Sequence, residues 1–249
     1  PSVLKAREVA EILTFVTREF PVSSKAEITF EANPDDLSFS YLKALINAGV
    51  NRISIGLQSF QNTHLENMNR RHTVSQAYHA VEKAEKAGFA NISADLIYGL
   101  PGLTSVQWEE SLNQVFCLPV VHLSAYHLTY HEGTPFYSWL KRGILKEVEE
   151  EESYNQFNIL IDMAHKADFE HYEISNFAKN EKYSQHNTAY WTGKKYLGLG
   201  PSAHSFNGRS RRWNVADLEK YNRALEQNTP FYQQEELSAN DRFNEYILT

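Results

Sequence analysis

A partial parallel (β/α) barrel is the fold class this sequence predicts, on three observations. Strand-like and helix-like segments alternate along most of the chain, the pattern of parallel strands joined by helical crossovers. The strand-like segments end in polar residues, among them Glu31, Gln58, Asp95 and Thr129, as expected where the top face of a barrel is the site. Asn91–Thr104, NISADLIYGLPGLT, shows one unit whole: a strand, a glycine-proline break, and Thr104 with Gln107 at capping-box spacing. Ile92, Ala94, Leu96 and Ile97 read as apolar on both strand faces. Asp95 interrupts them with a carboxylate that must be hydrogen-bonded or face a polar cavity. An open doubly wound sheet is the second architecture the alternation allows.

In chain order, Ser2 is placed to cap a helix from Val3 to about Phe20, with Ala6, Val9, Ile12, Leu13 and Val16 at helical spacing. Opening on a helix suggests that a first strand precedes it. Glu27–Ala32 alternates with period two and ends at Glu31, and a helix near Ser40–Asn47 stops at Gly49. The strand Arg52–Gln58 leads through a polar loop holding Arg70, Arg71 and His72 to a helix over Val74–Lys86, whose inner stripe is Val74, Ala77, Val81 and Ala84. After the Asp95 strand come a helix over Val106–Val115, a strand over His122–Thr129 and a polar loop. The acidic run Glu147–Glu152 suits the start of a helix carrying Tyr154, Phe157, Leu160, Ile161 and Ala164 in register. Tyr172–Phe177 reads as one strand, Tyr196–Phe206 as a glycine-rich apolar segment, and Val215–Leu225 as a short helix before a ragged end at Thr249. This divides the chain into a barrel core over 1–208 and a linker with the start of a C-terminal region over 209–249.

The 249 residues are enough for one barrel-sized core. A formal charge of −7 argues against a nucleic-acid surface, and no apolar run approaches the ~18 residues of a membrane span. Without a secretory signal and with a single cysteine, Cys117, the sequence points to a reducing, cytoplasmic compartment. One thiol also cannot build a cysteine metal cluster.

Glu31, Gln58 and Asp95, at successive strand ends, are types that hold ribose hydroxyls. Capping a neighbouring helix, or pairing with Arg52, Arg70 or Arg71, is the equal alternative. Arg70 has the chemistry of a carboxylate or phosphate clamp, although a loop arginine is more often solvated. Ser184–Trp191 gathers His186, Asn187, Tyr190 and Trp191; imidazole and aromatic rings suit a flat apolar ligand, with His186 a candidate iron ligand and a packing role as its alternative. Arg209, Arg211 and Arg212 read as a solvated basic loop that could hold carboxylates. A zinc hydrolase using His186, His204 and Glu173 is a minor third reading. No nucleophile triad, Walker loop or GxGxxG turn is present.

Taken in order, EITFEANPDDL, NRISIGLQSF, Arg70, ADLIYGLPGLT, HLSAYHLT, YEISNFAK, HNTAYW and GLGPSAHSF resemble the AdoMet radical family of oxygen-independent coproporphyrinogen III oxidase and its haem-chaperone relatives. The resemblance covers about residues 1–225, and YEISNFAK with HNTAYW looks more like the haem-chaperone branch. It implies a partial (β/α) barrel, a [4Fe–4S] cluster on a CxxxCxxC loop, and S-adenosylmethionine cleaved to a 5′-deoxyadenosyl radical. In the oxidase the substrate is coproporphyrinogen III, whose propionate side chains become vinyl groups. In the chaperone branch the protein binds haem and delivers it to haemoproteins, with an electron donor as a further partner. Residue by residue, the resemblance assigns S-adenosylmethionine contacts to Glu31, Gln58, Arg70 and Asp95, and less securely to Thr129 and His204. It assigns haem handling to His186, Asn187, Tyr190 and Trp191. The cluster cysteines and the first strand would precede Pro1, so the chain reads as a central fragment, itself catalytically silent, with no catalytic residue and no metal ligand of its own.

Overall fold

The protein is described from a computed structural model, in which the structure describes residues 1–248; Thr249, the expected ragged end, lies outside the described residues. Two compact units form, Pro1–Tyr183 and Ser184–Thr249.

The first unit runs α1 (Ala6–Glu19), β1 (Thr29–Ala32), a 3-10 turn at Pro34–Asp36, α2 (Phe39–Ala48), β2 (Arg52–Gln58), α3 (Asn62–Asn67), α4 (Val74–Ala87), β3 (Ile92–Tyr98), α5 (Ser105–Phe116), β4 (His122–His127), α6 (Pro135–Lys141), α7 (Glu150–Lys166), β5 (Glu170–Glu173) and β6 (Asn176–Ala178). Helix starts follow side-chain chemistry: the hydroxyls of Ser38, Thr73, Thr104 and Thr134 each accept a backbone N–H three residues on. Ser2 departs from expectation. It caps no helix but donates to Asp36 Oδ2 at 2.6 Å and accepts from the Asn33 N–H at 3.1 Å, because a carboxylate is the stronger partner. Helix α1 starts at Ala6 instead, with Glu8 accepting the Lys5 N–H at 2.7 Å.

The six strands lie in the order β1-β2-β3-β4-β6-β5, with β1 to β4 mutually parallel. That sequential order is the barrel pattern; a doubly wound sheet would reverse direction at a switch point. Two expectations are corrected. Tyr172–Phe177 is no single strand but the corner of an antiparallel hairpin, β5 and β6, with β6 antiparallel to β4. Glu173 breaks the run by accepting the Ser175 N–H at 3.2 Å, an Asx-like local bond that turns the chain. The polar loops after β2 and β4 also contain the short helices α3 and α6. Tyr154 is 67% exposed and belongs to no inner stripe, whereas Leu160 and Ala164 are fully buried.

The sheet has two unlike faces. Phe30, Ile53, Ile55, Leu57, Ile92, Ala94, Leu96, Leu123 and Phe177 are buried in the core with Ala77, Val81, Trp108 and Leu112 of the helices. Alternation puts Glu31, Arg52, Ser54, Gly56, Ser93, Asp95, His122, Ser124 and Asn176 on the other face. β3 is therefore not apolar on both sides, as the sequence had suggested: Ser93 and Asp95 share the polar face with Ile97. A lone polar-lined face is the inside of a barrel segment.

The second unit runs α8 (Gln185–Trp191), β7 (His204–Phe206), β8 (Ser210–Asn214), α9 (Leu218–Glu226), β9 (Tyr232–Glu236) and α10 (Ala239–Leu248), with β7, β8 and β9 in one antiparallel sheet. The expected arginine loop is strand β8, and its charges are occupied: Arg211 pairs with Glu235 and, at 2.9 Å, Glu245, while Arg212 lies 4.4 Å over the Tyr232 ring. No helix among the described residues is long and apolar enough to cross a membrane.

Candidate functional site

A cavity of about 160 Å³ opens on the polar face and is lined by Ser2, Glu31, Asn33, Gly56, Gln58 and Asp95, among others. Three strands contribute. Glu31 lies opposite Ser54 in the β1–β2 ladder, and Ser54 donates to Asp95 Oδ1 at 2.9 Å. Asp95 is largely enclosed yet borders the cavity. Burial, and then the charge of Glu31, push its carboxyl up to about 6, against the opposing pull of Ser54, Arg52 and Ser124. Among the described residues neither Glu31 nor Asp95 forms an ion pair within 4.0 Å. The arginine pairing that competes with a binding role is thus absent here.

Gln58 is held in an unusual conformation. Its φ is 68°, a left-handed setting that a non-glycine residue adopts at a cost of about 1–3 kcal/mol and that clusters at functional sites. The β2–β3 register shifts between Ile55 and Gln58, as at a bulge that re-aims a side chain. Gly56 leaves room for the result: a Cβ there would come within 2.5 Å of Gln58 Nε2. His72, buried and with its pKa lowered by burial, donates from Nε2 to the Leu57 carbonyl at 3.1 Å and braces the bulge from behind.

Arg70 is half-buried. Burial lowers its pKa, and Asp35 and Asp95 oppose that shift, so its charge is felt at the cavity carboxylate. Its neighbour Arg71 instead bridges Asp35 and Asp36 at 3.0 Å each. Thr129 lies beyond the end of β4, outside the cavity lining, with its hydroxyl on the His127 carbonyl at 3.3 Å.

The remaining predicted residues belong to the second unit. His204 stacks on Trp213, with centroids 6.4 Å apart, and both border a cavity of about 480 Å³. His186, Asn187, Tyr190 and Trp191 lie on helix α8 rather than in the loop the sequence suggested. His186 and Tyr190, one turn apart, meet edge to face at 5.0 Å, and Tyr190 meets Tyr196 at 4.6 Å. The Asn187 N–H is taken by the Ser184 cap.

Sequence reasoning missed Ser2, Asn33, Gly56 and Ser54. The alternation of Arg52, Ser54, Gly56 and Gln58 against Ile53, Ile55 and Leu57 carried the signal for the two β2 residues. Behind them the polar face is closely bonded: neutral His122, its pKa lowered by burial to about 3, contacts Ser93 Oγ at 2.8 Å and the Tyr172 hydroxyl at 2.7 Å.

The donor set fits a nucleoside. Carboxylates and an amide supply acceptors and a donor for ribose hydroxyls, and the lack of a side chain at Gly56 lets the Gln58 amide lie where it does. An iron–sulfur cluster does not fit the residues present. Cys117 is the one cysteine, is exposed, and sits at the C-terminal end of α5, away from the C-terminal ends of the strands. Among the described residues no group of three or more His, Cys, Asp or Glu could hold a metal ion.

Comparison with known proteins gives three findings. The Radical SAM superfamily profile matches residues 3–115. The chain is 36% identical over 224 residues to the heme chaperone HemW of Lactococcus lactis, covering 90% of this chain and 59% of that protein, and 35% identical over 250 residues to that of Bacillus subtilis, covering 100% and 66%. It thus spans about 60% of the length of these relatives. The solved coproporphyrinogen III oxidase (HemN) of Escherichia coli superposes with a TM-score of 0.83 at 21% identity, over 100% of this chain and 60% of that one, a likeness of fold.

Proposed function

We propose that the chain, which matches the Radical SAM superfamily profile over residues 3–115 and is similar to haem chaperones along its length, provides the nucleoside pocket of a radical SAM haem chaperone. The observation that carries this is that Glu31, Gln58 and Asp95, from three successive strands, line one cavity. Glu31 and Asp95 accept from the ribose hydroxyls of S-adenosylmethionine, the Gln58 amide reads the adenosine, and Arg70 balances the charge of the acids and faces the ligand carboxylate. When bound, S-adenosylmethionine would supply radical chemistry; the chain's part is to orient it, with burial holding the Asp95 carboxyl above its ordinary range. A [4Fe–4S] cluster would need thiolates this chain does not carry.

In the same reading His186, Tyr190 and Trp191, with Asn187, handle haem, and Thr129 is a secondary nucleoside contact. The whole protein works in the cytoplasm, passing haem to a haemoprotein acceptor and drawing on an electron donor. Coproporphyrinogen oxidation is the weaker alternative, since its support is the fold alone. Titration with hemin, followed by the Soret band, tests the reading: a saturable shift reduced by His186→Ala supports it. A flat titration, together with vinyl product formed from coproporphyrinogen III by the full-length protein, would replace it with the oxidase.

A further inference from the structure

We propose that Arg52 is a positioning residue for the nucleoside cavity: a permanently charged guanidinium, sealed inside the polar face, that keeps the Asp95 carboxylate ionised to accept the ribose hydroxyl. This rests on the nucleoside reading above and adds a residue that does not line the cavity itself. Arg52 is the only arginine or lysine buried among the described residues, at 3% exposed. Its Nε has no hydrogen-bond partner, and among the described residues it joins no ion pair within 4.0 Å. A buried charge without a contact partner is costly, so an opposite charge further off must offset it. Arg52 lies opposite Thr29 in the β1–β2 ladder, and Ser54 lies opposite Glu31. Ser54 in turn donates to Asp95. Glu31 and Asp95 therefore stand further along the same face, and in an interior shielded from water a charge acts well beyond contact distance.

The other groups around Asp95 do not take this part. Glu31 on β1 has the same sign and pushes the Asp95 carboxyl up, while Ser54 on β2 and Ser124 on β4 are neutral donors that hold it down beside Arg52. His122 on β4 is neutral, with both ring nitrogens engaged by Ser93 and Tyr172, and the charge of Arg52 adds to burial in keeping it so. Tyr126 on β4 has its pKa raised by burial and by Asp95, so it stays a neutral phenol, and Asn176 and Glu173 act on it rather than on Asp95. Arg70, after α3, is the other cation that meets the field of Asp95, and it is shared with Asp35. An arginine suits the buried position because it stays protonated, whereas a buried lysine gives up its proton readily.

The test reads the carboxyl and the ligand separately in the full chain, with thermal melting to verify folding. Carboxyl-carbon NMR without ligand, assigned by the signal missing from Asp95→Asn, follows ionisation, and calorimetric titration with S-adenosylmethionine across pH follows binding. Arg52→Met and Arg52→Gln are each expected to raise the Asp95 midpoint from about 6 by about one pH unit. By the ratio of ionised fractions, affinity should then fall about fivefold at pH 6 and match wild type above about pH 8. In an Asp95→Asn background, Arg52→Met should leave the pH profile unchanged. An Asp95 midpoint unmoved in both Arg52 variants, or a loss of affinity of equal size at every pH, would overturn the proposal. A moved midpoint in a chain that does not bind S-adenosylmethionine would leave the hold of Arg52 on Asp95 standing and overturn the nucleoside reading instead.

Discussion

The two faces of the first unit's sheet come from the same four parallel strands and obey opposite rules. Facing the helices, Ile53, Ile55, Leu57, Ala94, Leu96 and Leu123 are at most 1% exposed; that side is ordinary close-packed core. On the other side Ser54, Asp95, His122 and Ser124 stand in the same strands with hydrogen bonds in place of packing. One face holds the strands together, and the other spends stability on a raised carboxyl pKa and a left-handed Gln58. Strain and an uncomfortable carboxylate gathered beside one cavity are the two features on which the proposed nucleoside site rests.

Breaking the packed face should have the largest effect. Leu96→Ala removes a fully buried side chain and is expected to cost about 2–5 kcal/mol in denaturant unfolding, with nucleoside affinity unchanged in the protein that remains folded. Substitution on the polar face should act with the opposite sign. The folded pKa of Asp95 is about 6 against an ordinary 3.8, so the folded state holds the proton more tightly than the unfolded chain. Stability from this group is intact below about pH 4, is lost as pH rises through 6, and the deficit above that is about 3 kcal/mol. Asp95→Asn is expected to be more stable than wild type at pH 7, to lack that slope in pH-resolved melts, and to bind S-adenosylmethionine at least tenfold more weakly. A destabilised Asp95→Asn with an unchanged slope would erase the distinction between the faces.

Smaller changes sharpen the contrast. Gln58→Gly relieves the φ of 68° and should add about 1 kcal/mol of stability while weakening nucleoside binding, as read by calorimetry. Gly56→Ala should change stability by less than about 1 kcal/mol, because the atom it crowds, Gln58 Nε2, ends a flexible side chain. Displacing that amide should still lower affinity several-fold.

The sheet and its polar rim were legible because they rest on local rules. Strand β2 has the predicted bounds Arg52–Gln58, and Glu31, Gln58 and Asp95 meet as strand-end logic requires. The inward side of β3 was misread because Ile97 follows Leu96 and hides the alternation of Ser93 with Asp95. The β5–β6 hairpin was misread because Glu173, Ile174 and Ser175 continue a strand-like pattern through what is a turn. Strands β8 and β9 escaped because arginine, glutamine and glutamate make up most of them, so no apolar alternation marks them as strands.

The account stands most directly on calorimetric titration of the chain and its Glu31→Gln, Gln58→Ala and Asp95→Asn variants with S-adenosylmethionine. It predicts that wild type binds, that each substitution weakens binding about tenfold, near 1.4 kcal/mol, and that the paired losses are non-additive because the groups share one ligand. Wild-type affinity surviving in the triple variant, or no binding by the wild-type chain, would contradict it.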